Sequence, residues 1–503
     1  MRLGRLIEGL DYLDRRGDLE REIGSIHYDS RQVKPGSLFA AIRGHRQDGH
    51  DFIPRALAAG ASTLVVECDL PHTSALPETG ISMLKVHDSR LALAQIACAF
   101  YGHPSRKLRL IGVTGTNGKT TTTYLVESLL LQAGYRVGVI GTINYRFAGN
   151  RVEAERTTPE SLDLQKVLGD MVSNGVEYVV MEVSSHSLEL KRVAGCEFDL
   201  AIFTNLTHDH LDFHGDLERY LNAKLLLFSD LGKDGKKTTP KLALINTDDP
   251  FARRVKDVTS TQTWGYGLGE GADIRASILD LSLEGIESSI ESPRGSLRIH
   301  SRLIGEHNVY NILGAVGVGI WEEIPPPVIG EGIARVSRVP GRWEMIQGGQ
   351  KFAVVVDYAH TADALERTLK AARRLCRGRV ITVFGCGGDR DRAKRPIMGE
   401  VAARCSDYFI ITSDNPRSED PEKIVAEIEQ GVRKTYPGRD DYDKITDRRE
   451  AIEKAIYLAR ENDLVMIAGK GHETYQILGE GVIPFDDREV VKICIEKRLK
   501  QQG

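Results

Sequence analysis

The sequence has no paired-cysteine motif and no excess of charge of either sign. Its seven cysteines are scattered, and without a CxxC pair they argue against a zinc knuckle or a thioredoxin-type site. Thiols without a disulfide framework suit a reducing compartment. Lysine and arginine number 67 and aspartate and glutamate 71, so the net charge is −4. This balance gives no electrostatic reason to expect nucleic acid or a membrane surface as a partner.

Long apolar runs are missing as well. The amino-terminal segment MRLGRLIEGLDYLDRRGDLE is charged throughout and lacks the apolar core of a signal peptide. No uninterrupted apolar run approaches the ~20 residues that are needed to cross a bilayer. Together with the scattered cysteines, these absences predict a cytoplasmic protein.

The chain is long enough for more than one hydrophobic core. Its 503 residues predict about two to four domains. Turn-rich clusters divide it into three blocks, 1–106, 107–332 and 333–503. The stretch EEIPPPVIGEG, residues 322–332, is interpreted as a stiff, turn-rich linker before the third block.

Apolar strand-like runs alternate with amphipathic helical stretches, which is the pattern of a parallel sheet covered by helices. The first block is predicted to hold strands at 63–67 and 82–86 and a helix at 89–101. Residues 274–304 resemble antiparallel hairpins. Parallel strands are predicted in the second and third blocks at 108–113, 176–182, 198–203, 241–245, 352–356, 379–384, 408–412 and 464–468.

A glycine-rich segment, GTNGKTT, lies between a predicted strand and a predicted helix. Such a loop binds phosphates with its backbone N–H groups and the helix amino terminus. Lys119 would neutralise the β- and γ-phosphates, and the Thr120 hydroxyl would ligate Mg²⁺. The strict P-loop pattern is not met, because Val113 occupies its first glycine position. The predicted nucleotide-binding residues here are Gly115, Thr116, Asn117, Gly118, Lys119, Thr120 and Thr121.

Two further residues of the second block are candidate metal ligands. Glu182 ends one predicted strand, and His210 follows the next one. Ligands bind at the carboxyl ends of parallel strands, so a carboxylate and an imidazole there could reach one phosphate-bound Mg²⁺. His208 and His214 are left out of this site, because a lone histidine is more often a packed or surface residue.

A series of longer motifs occurs in one fixed order along the chain: GTNGKTT, EVSSHSLEL, TNLTHDHLDFHG, GEHNVYN, VPGRWE, VVDYAHT, GCGGDRDRAKRP, SDNPRSEDP and AGKGHETYQ. In kind and order they resemble the Mur ligases over essentially the whole chain. The early segment YDSRQVKPGSLFAAIRGHRQDGHDFI is similar to the MurE type within that family. The resemblance implies an α/β fold of three domains, with a central P-loop ATPase-like parallel sheet and a C-terminal Rossmann-like domain.

The resemblance also implies a reaction and its cofactors. Family members phosphorylate a carboxylate with ATP, and an amine then attacks the acyl phosphate. The implied carboxylate is the D-Glu of UDP-MurNAc-L-Ala-D-Glu, and Lys224 in YLNAKLLLF is implied to be carbamylated. A bare ammonium would repel Mg²⁺, whereas a carbamate is an anionic oxygen ligand or orients one.

The substrate contacts are likewise carried over from the resemblance. Asn308 and Asp357 match the adenine- and ribose-side motifs. Arg156 and Leu190 depart from residues that are common in relatives, which affects the details of the peptide contact. The residues matched to the UDP-MurNAc-dipeptide site are Asp29, Ser30, Arg31, Gly44, His45, Arg46, Thr157, Thr158, Ser184 and Arg192.

The SDNPR segment of the third block resembles that of relatives that add meso-diaminopimelate, whereas lysine-adding relatives differ at the arginine. The chemistry agrees, because diaminopimelate is lysine with an extra carboxylate and arginine binds carboxylates bidentately. With lysine, Arg417 would face an ammonium group. The residues predicted to bind diaminopimelate are Arg390, Asp414, Asn415, Pro416, Arg417, Gly469 and Glu473.

Four other functions were weighed against this one: a lysine-adding ligase, a sister ligase such as MurF or folylpolyglutamate synthase, a silent ATP-binding module, and a nucleic-acid binder. The DNPR segment and the amino-terminal motif argue against the first two. Retention of Lys119, Glu182, His210 and Lys224 argues against a silent module, and the absence of a basic stripe against nucleic acid. The expected protein is a monomeric cytoplasmic enzyme of peptidoglycan precursor synthesis.

Overall fold

The structure is a computed structural model that describes residues 1–44, 47–69, 80–233, 235–479 and 481–502. His45 and Arg46, which the sequence assigned to the UDP-sugar site, lie outside the described residues. Three large sheets, each with its own helices, follow one another along the chain. Among the described residues, no helix combines the length and the apolar character that crossing a bilayer requires.

The first region is a five-stranded sheet with the order β1-β5-β4-β3-β2, in which only β1 runs antiparallel to its neighbour. Its strands and the helix α3 confirm the elements predicted at 63–67, 82–86 and 89–101. The strands are β1 (Asp14–Arg16), β2 (Ile26–His27), β3 (Ser37–Ala40), β4 (Ala61–Val66) and β5 (Ser82–Lys85). The helices are α1 (Leu3–Leu6), α2 (Ile53–Ala58) and α3 (Ser89–Phe100).

The second region contains an eleven-stranded sheet. The strands are β6 (Arg109–Thr114), β7 (Val137–Ile140), β8 (Asn144–Phe147), β9 (Asn150–Glu153), β10 (Tyr178–Glu182), β11 (Leu200–Phe203), β12 (Leu242–Asn246), β13 (Gln262–Gly267), β14 (Ile274–Leu281), β15 (Ile286–Ser292) and β16 (Gly295–Ser301). The helices are α4 (Lys119–Gln132), α5 (Ser161–Ser173), α6 (Ser185–Glu189), α7 (Leu211–His214), α8 (Leu217–Ser229), α9 (Ala252–Val258), α10 (His307–Trp321) and α11 (Pro326–Arg335).

This sheet is parallel in its middle and antiparallel at both edges. Its order is β16-β15-β14-β13-β12-β11-β6-β10-β7-β8-β9, and the strands from β14 to β7 are parallel neighbours. The inner strands are apolar and buried because helices cover both faces. The predicted hairpins at 274–304 are confirmed, while the β8–β9 hairpin was not foreseen.

The linker predicted at 322–332 is wrong, because most of it lies in α11. Pro326 occupies the first turn of this helix, where its missing N–H breaks no hydrogen bond. Ile329 and Ile333 are buried four residues apart on one face. A Cβ on Gly332 would lie 2.5 Å from the Leu129 Cα, so α11 packs closely on α4. The proline cluster therefore starts a helix of the central core.

The third region has a six-stranded sheet with the order β17-β18-β22-β19-β20-β21, parallel except for β17. All four strands predicted there are confirmed. The strands are β17 (Glu344–Met345), β18 (Ala353–Asp357), β19 (Val380–Phe384), β20 (Tyr408–Ile411), β21 (Tyr442–Lys444), β22 (Leu464–Ala468), and a separate hairpin of β23 (Tyr475–Leu478) and β24 (Gly481–Pro484). The helices are α12 (Ala362–Leu375), α13 (Lys394–Cys405), α14 (Pro421–Thr435), α15 (Arg448–Leu458) and α16 (Asp487–Gln502).

A buried ion cluster lies at the amino-terminal ends of the central strands. The Asp199 carboxylate is 1% exposed and pairs with Lys237, with Lys241 at 3.2 Å and with Arg109 at 3.4 Å. It also accepts a hydrogen bond from the backbone N–H of Leu110 at 2.7 Å. One carboxylate thus contacts three cations, of which Arg109 also pairs with Glu322, and ties the loop before β12 to β6.

Replacing Asp199 by asparagine is therefore expected to lower the free energy of unfolding by about 3–5 kcal/mol, because buried cations lose their counter-charge. The midpoint of urea-induced unfolding measures this loss. Asp230→Asn is the matched control, since the Asp230–Lys233 pair is largely exposed and contributes about 0–1 kcal/mol. Equal midpoints for the two variants would contradict the structural role given to the cluster.

Candidate active site

A cavity of about 610 Å³ opens where the carboxyl ends of the central strands face the third region. It gathers most of the nucleotide and metal residues that the sequence predicted. Those that line it are Thr116, Asn117, Gly118, Lys119, Thr120, Thr121, Glu182, His210, Lys224 and Asp357. Thr157 and Ser184, which were predicted to contact the muramoyl-peptide, line it as well.

The phosphate loop connects β6 to α4, as predicted. Gly115 and Gly118 have φ angles of 145° and 90°, which side-chain-bearing residues rarely adopt. A Cβ on Gly115 would lie 1.9 Å from the Thr204 Oγ1, and one on Gly118 would lie 2.4 Å from the Asn311 Oδ1. Both glycines are therefore required by backbone conformation and by close approach, and they leave the amino terminus of α4 facing the cavity.

Two lysines meet at one carbonyl group of this loop. Lys119 Nζ donates to the carbonyl oxygens of Gly115 and Thr116, each at 2.8 Å. Lys224 Nζ, from α8, donates to the same Gly115 oxygen at 2.9 Å. Burial, and then the Lys119 charge, hold the pKa of Lys224 well below its usual value. Within the described part of the chain, Lys224 forms no ion pair within 4 Å. A buried amine with a low pKa beside a second cation fits conversion to an anionic carbamate.

Glu182 is a buried carboxylate whose hydrogen-bond donors are neutral. It accepts from the hydroxyl of Thr120 at 3.1 Å, and from the hydroxyl of Thr142 at 2.8 Å and its backbone N–H at 2.9 Å. No ion pair within 4 Å involves it in the residues that the structure describes. A buried carboxylate without a direct ion pair beside the phosphate loop suits a divalent cation, because burying an unpaired charge is costly.

His210 precedes α7 in a left-handed conformation, with φ at 54°. Its ring lies 3.5 Å from the Asp209 carboxylate and packs edge-on against the ring of His186. Burial lowers the pKa of His210 to about 4, against the opposing effect of Asp209. The imidazole is therefore neutral near pH 7, which is the form that binds a metal ion.

The residues predicted to hold the peptide surround Glu182. The Thr158 hydroxyl donates to the Glu182 carbonyl oxygen at 2.9 Å, and Thr157 lies 3.1 Å from the Thr142 hydroxyl. The Ser184 hydroxyl accepts from a backbone N–H of α6 and caps that helix. Arg192 donates to the Thr158 carbonyl oxygen at 3.3 Å. Thr157, Glu182 and Ser184 thus form one polar wall of the cavity beside the phosphate loop, whereas Thr158 and Arg192 are outside its lining.

The predicted UDP-sugar residues lie apart from the cavity, in the first region. Asp29 and Arg31 pair with each other at 2.8 Å, and Ser30 between them is buried. The neighbouring Tyr28 donates its hydroxyl to Asp163 of α5 at 2.6 Å. This contact places residues 28–31 against α5, the helix that follows Thr157 and Thr158 in the sequence. Gly44 lies in a separate turn and donates to the Gln47 carbonyl oxygen.

The two residues assigned to the adenine and ribose side differ in placement. Asp357 lines the cavity and accepts from the backbone N–H groups of Trp343 and Ala359, at 2.8 and 2.9 Å. Asn308 does not line it, because its side chain donates to Ile304 and accepts from Asn311 within the start of α10. His307 and Asn311, on either side of it in the same helix, line the wall instead.

The residues predicted to bind the amine form a second cluster, in the third region. Arg417 Nη1 donates to the Gly388 carbonyl oxygen at 2.7 Å, and the Asn415 amide donates to Glu473 at 2.8 Å. Gly469 has φ at 116°, and a Cβ there would lie 2.6 Å from an oxygen of Asp414, so the backbone conformation favours glycine beside that carboxylate. Pro416 precedes Arg417 in the same turn, and Arg390 donates to the backbone of Asp389. Arg417 and the carboxylates of Asp414 and Glu473 thus belong to one cluster, in which Lys470 pairs with Glu473 at 2.9 Å. Groups of both signs at one place suit a zwitterion.

Arg342 is a residue of the site that received no role from the sequence. It comes from the third region and reaches the Thr120 hydroxyl at 3.4 Å. Its guanidinium lies over the Tyr358 ring, 4.6 Å from the ring centre. The available signal was the motif VPGRWE, which the family resemblance included without a function. Thr142, directly after β7, was also missed.

The glycine-rich phosphate loop joins a strand of a parallel sheet to a helix, and it faces a cleft with charged side chains. This arrangement defines a P-loop nucleotide-binding protein. Three family models match the chain: "Mur ligase family, catalytic domain" at residues 22–101, "Mur ligase middle domain" at 113–319 and "Mur ligase, glutamate ligase domain" at 341–471. A relative from Geobacter metallireducens is 46% identical, with both chains covered fully. The chain therefore belongs to the Mur ligase family.

The similar proteins have closely related descriptions. The relative from Geobacter metallireducens and one from Geobacillus thermodenitrificans, 46% identical over 95% of this chain and 96% of its own, are both named UDP-N-acetylmuramoyl-L-alanyl-D-glutamate–2,6-diaminopimelate ligase. A solved structure of a ligase with that name has a TM-score of 0.69 at 32% identity and covers 99% of each chain. MurF from Thermotoga maritima, at 20% identity, covers 95% of this chain and 98% of its own with a TM-score of 0.63 and shares the fold.

Proposed function

We propose that this protein is an ATP-dependent ligase that joins meso-diaminopimelate to the D-Glu carboxylate of UDP-MurNAc-L-Ala-D-Glu in cytoplasmic peptidoglycan precursor synthesis. The observation that carries the proposal is the meeting of two groups in one cavity, the phosphate loop with Lys119 and the polar wall around Glu182. The Arg417 surface, in the third region, is outside the lining of this cavity and is proposed to supply the amine. Full-length similarity to ligases with that name supports the choice of substrates.

The reaction that this arrangement supports has two steps. The γ-phosphoryl group of ATP moves to the D-Glu carboxylate and gives an acyl phosphate and ADP. The neutral amine of diaminopimelate then attacks the acyl carbon, so that an amide forms and phosphate and a proton leave. Lys119 and the α4 N–H groups stabilise charge on the transferring phosphoryl group. Most of the rate is expected to come from positioning.

Magnesium and a carbamate are the two groups that the site would hold. Thr120, Glu182, His210 and carbamylated Lys224 would bind Mg²⁺, directly or through the nucleotide. When bound, the metal neutralises phosphate charge. The carbamate would place an anion beside Lys119, in place of an amine whose positive charge burial and Lys119 disfavour.

The division of the chain is part of the proposal. The first domain, 1–106, would bind the UDP-sugar, the second the nucleotide, and the third the amino acid. The sequence placed the second boundary at 332/333, and we shift it to 335/336, because α11 runs across the earlier position. The protein is proposed to act as a monomer.

The test measures ATP-dependent phosphate release with UDP-MurNAc-L-Ala-D-Glu and either meso-diaminopimelate or L-lysine, in Mg²⁺ and bicarbonate. Turnover with diaminopimelate alone is expected. Turnover with lysine alone would keep the ligase and overturn the specificity. No turnover with either amine would favour a sister ligase or a silent nucleotide-binding protein.

Replacing Glu182 by glutamine is expected to raise the Mg²⁺ concentration for half-maximal turnover by about 10–100-fold, because the site loses its buried negative charge. Titration of phosphate release with Mg²⁺ measures the shift. Glu189→Gln, on the exposed end of α6, is the matched control and should leave the titration unchanged. An unchanged Mg²⁺ requirement in Glu182→Gln would remove this residue from the proposed metal site.

A further inference from the structure

Arg395, near the start of α13, is a fully buried guanidinium that no role above explains. It forms a forked ion pair with Glu419, at 2.8 and 2.9 Å, and a third contact with Glu427 at 2.7 Å. Its Nη2 also donates to the Gly387 carbonyl oxygen at 3.3 Å. Arg395 thereby connects two loops, 385–391 after β19 and 414–420 after β20.

These two loops carry the amine-binding surface. The backbone N–H of Gly388 donates to the Asn415 carbonyl oxygen at 2.9 Å, and Arg417 donates back to Gly388. Asp389 accepts from the hydroxyl of Ser418 at 2.6 Å. The loops therefore face each other along their length, and the orientation of the Arg417 guanidinium depends on their separation.

Backbone strain in the loops shows why they need a support. Asp389 and Arg417 both have φ at 53°, a conformation that is strained for a residue with a side chain. Such conformations persist only where the surroundings fix them. The Asp389 N–H donates to Glu419 at 2.7 Å, on the same carboxylate that Arg395 holds. The Arg395–Glu419 pair thus holds the strained backbone of the 385–391 loop through the Glu419 carboxylate.

We propose that Arg395 is a positioning residue for the amine substrate: it holds the loops 385–391 and 414–420 as one surface and thereby sets the orientation of Arg417. The inference rests on the proposed function, since it names how that site selects its amine. Arg395 is not proposed to contact the substrate itself. Its effect must therefore appear in amine recognition and must depend on Arg417.

Arg395→Lys keeps the charge but replaces the planar fork by a single ammonium group. Steady-state phosphate release would be measured while diaminopimelate, ATP and UDP-MurNAc-L-Ala-D-Glu are varied in turn. The KM for diaminopimelate is expected to rise about tenfold, with kcat and the other two KM values within about twofold. A uniform rise of all three KM values, or a fall in kcat alone, would show a merely structural residue and overturn the proposal.

Arg379→Lys is the control for the same substitution at an ion-paired arginine elsewhere in the domain. Arg379, which is more exposed than Arg395, donates two hydrogen bonds to one oxygen of Asp463, at 2.8 and 3.2 Å, and one to the Leu458 carbonyl oxygen. It lies in the same domain but at the opposite end of β19, away from both loops. All three KM values should stay within about twofold of the wild type. A rise in the diaminopimelate KM equal to that of Arg395→Lys would count against the proposal.

Dependence on Arg417 supplies the second test. In an Arg417→Ala background, the added Arg395→Lys change should raise the diaminopimelate KM by less than about twofold, because residues that act through one another are not additive. A full tenfold rise in that background would overturn the proposed route. If Arg395→Lys fails to fold, as judged by circular dichroism, Glu419→Gln carries the test from the more exposed side of the pair and should give the same selective rise.

The two proposals fail in different ways. Wild-type protein that turns over neither amine overturns the function and this inference together. Wild-type protein that selects diaminopimelate, while Arg395→Lys and Glu419→Gln keep its KM, overturns the inference alone.

Discussion

Replacing Lys119 by methionine should lower turnover by about 10²–10³-fold, the loss that follows removal of one charged donor at a reacting centre. Its Nζ lies across the phosphate loop, and methionine keeps the length of the side chain without the charge. Burial lowers the pKa of Lys119, while Glu182 opposes that shift and favours the charged form. Phosphate release at saturating substrates measures the loss.

Lys166→Met is the control for Lys119→Met. Lys166 is exposed on α5, and its replacement should leave kcat within about twofold. Thermal unfolding of both variants separates a catalytic loss from a folding defect. Wild-type turnover by a folded Lys119→Met protein would exclude the phosphate loop as the place where the transferring group is stabilised.

Replacing Arg417 by alanine should reduce kcat/KM for diaminopimelate by about 10–100-fold, because a charged hydrogen-bonded pair contributes about 1.5–3 kcal/mol. The kcat/KM for lysine should stay the same or rise, since an unfavourable contact between two cations is removed. The ratio of the two values, measured by competition for limiting UDP-MurNAc-L-Ala-D-Glu, is the quantity of interest.

Arg404→Ala controls for the loss of a positive charge in the same domain. Arg404, on α13, pairs with Glu366 of α12, and its side chain is 43% exposed. Its replacement should leave the ratio unchanged. An Arg417→Ala protein that still prefers diaminopimelate to the wild-type degree would assign the recognition of the second carboxylate to another residue.

The sequence predicted the inner strands and the phosphate loop because local patterns determine both. Runs such as the one before GTNGKTT are apolar at successive positions, and the glycines at 115 and 118 mark backbone that other residues cannot adopt. The β8–β9 hairpin escaped prediction because residues 150–153 are all exposed and show no alternation. The helix α11 escaped because prolines were weighed as breakers rather than as a helix start.

The residues of the candidate site likewise differ in whether a local sequence pattern reveals them. Glu182 and His210 could be named because Glu182 ends an apolar strand and His210 follows another, where side chains reach the edge of a parallel sheet. Lys224 could not, since its spacing in α8 resembles that of any helix lysine, and its role was implied only by the family resemblance. Arg342 and Arg395 act across long sequence separations, 222 and 24 residues to Thr120 and Glu419. Contacts of this kind leave no local pattern.

The left-handed backbone at Arg417 also affects which substitutions are favoured at this position during evolution. A glycine at this position would relieve the conformational cost, so variants selected for stability alone would tend to lose the arginine. The same change would remove the side chain on which the choice of amine is proposed to depend. Selection for stability therefore favours glycine at position 417, whereas selection for the proposed amine favours arginine.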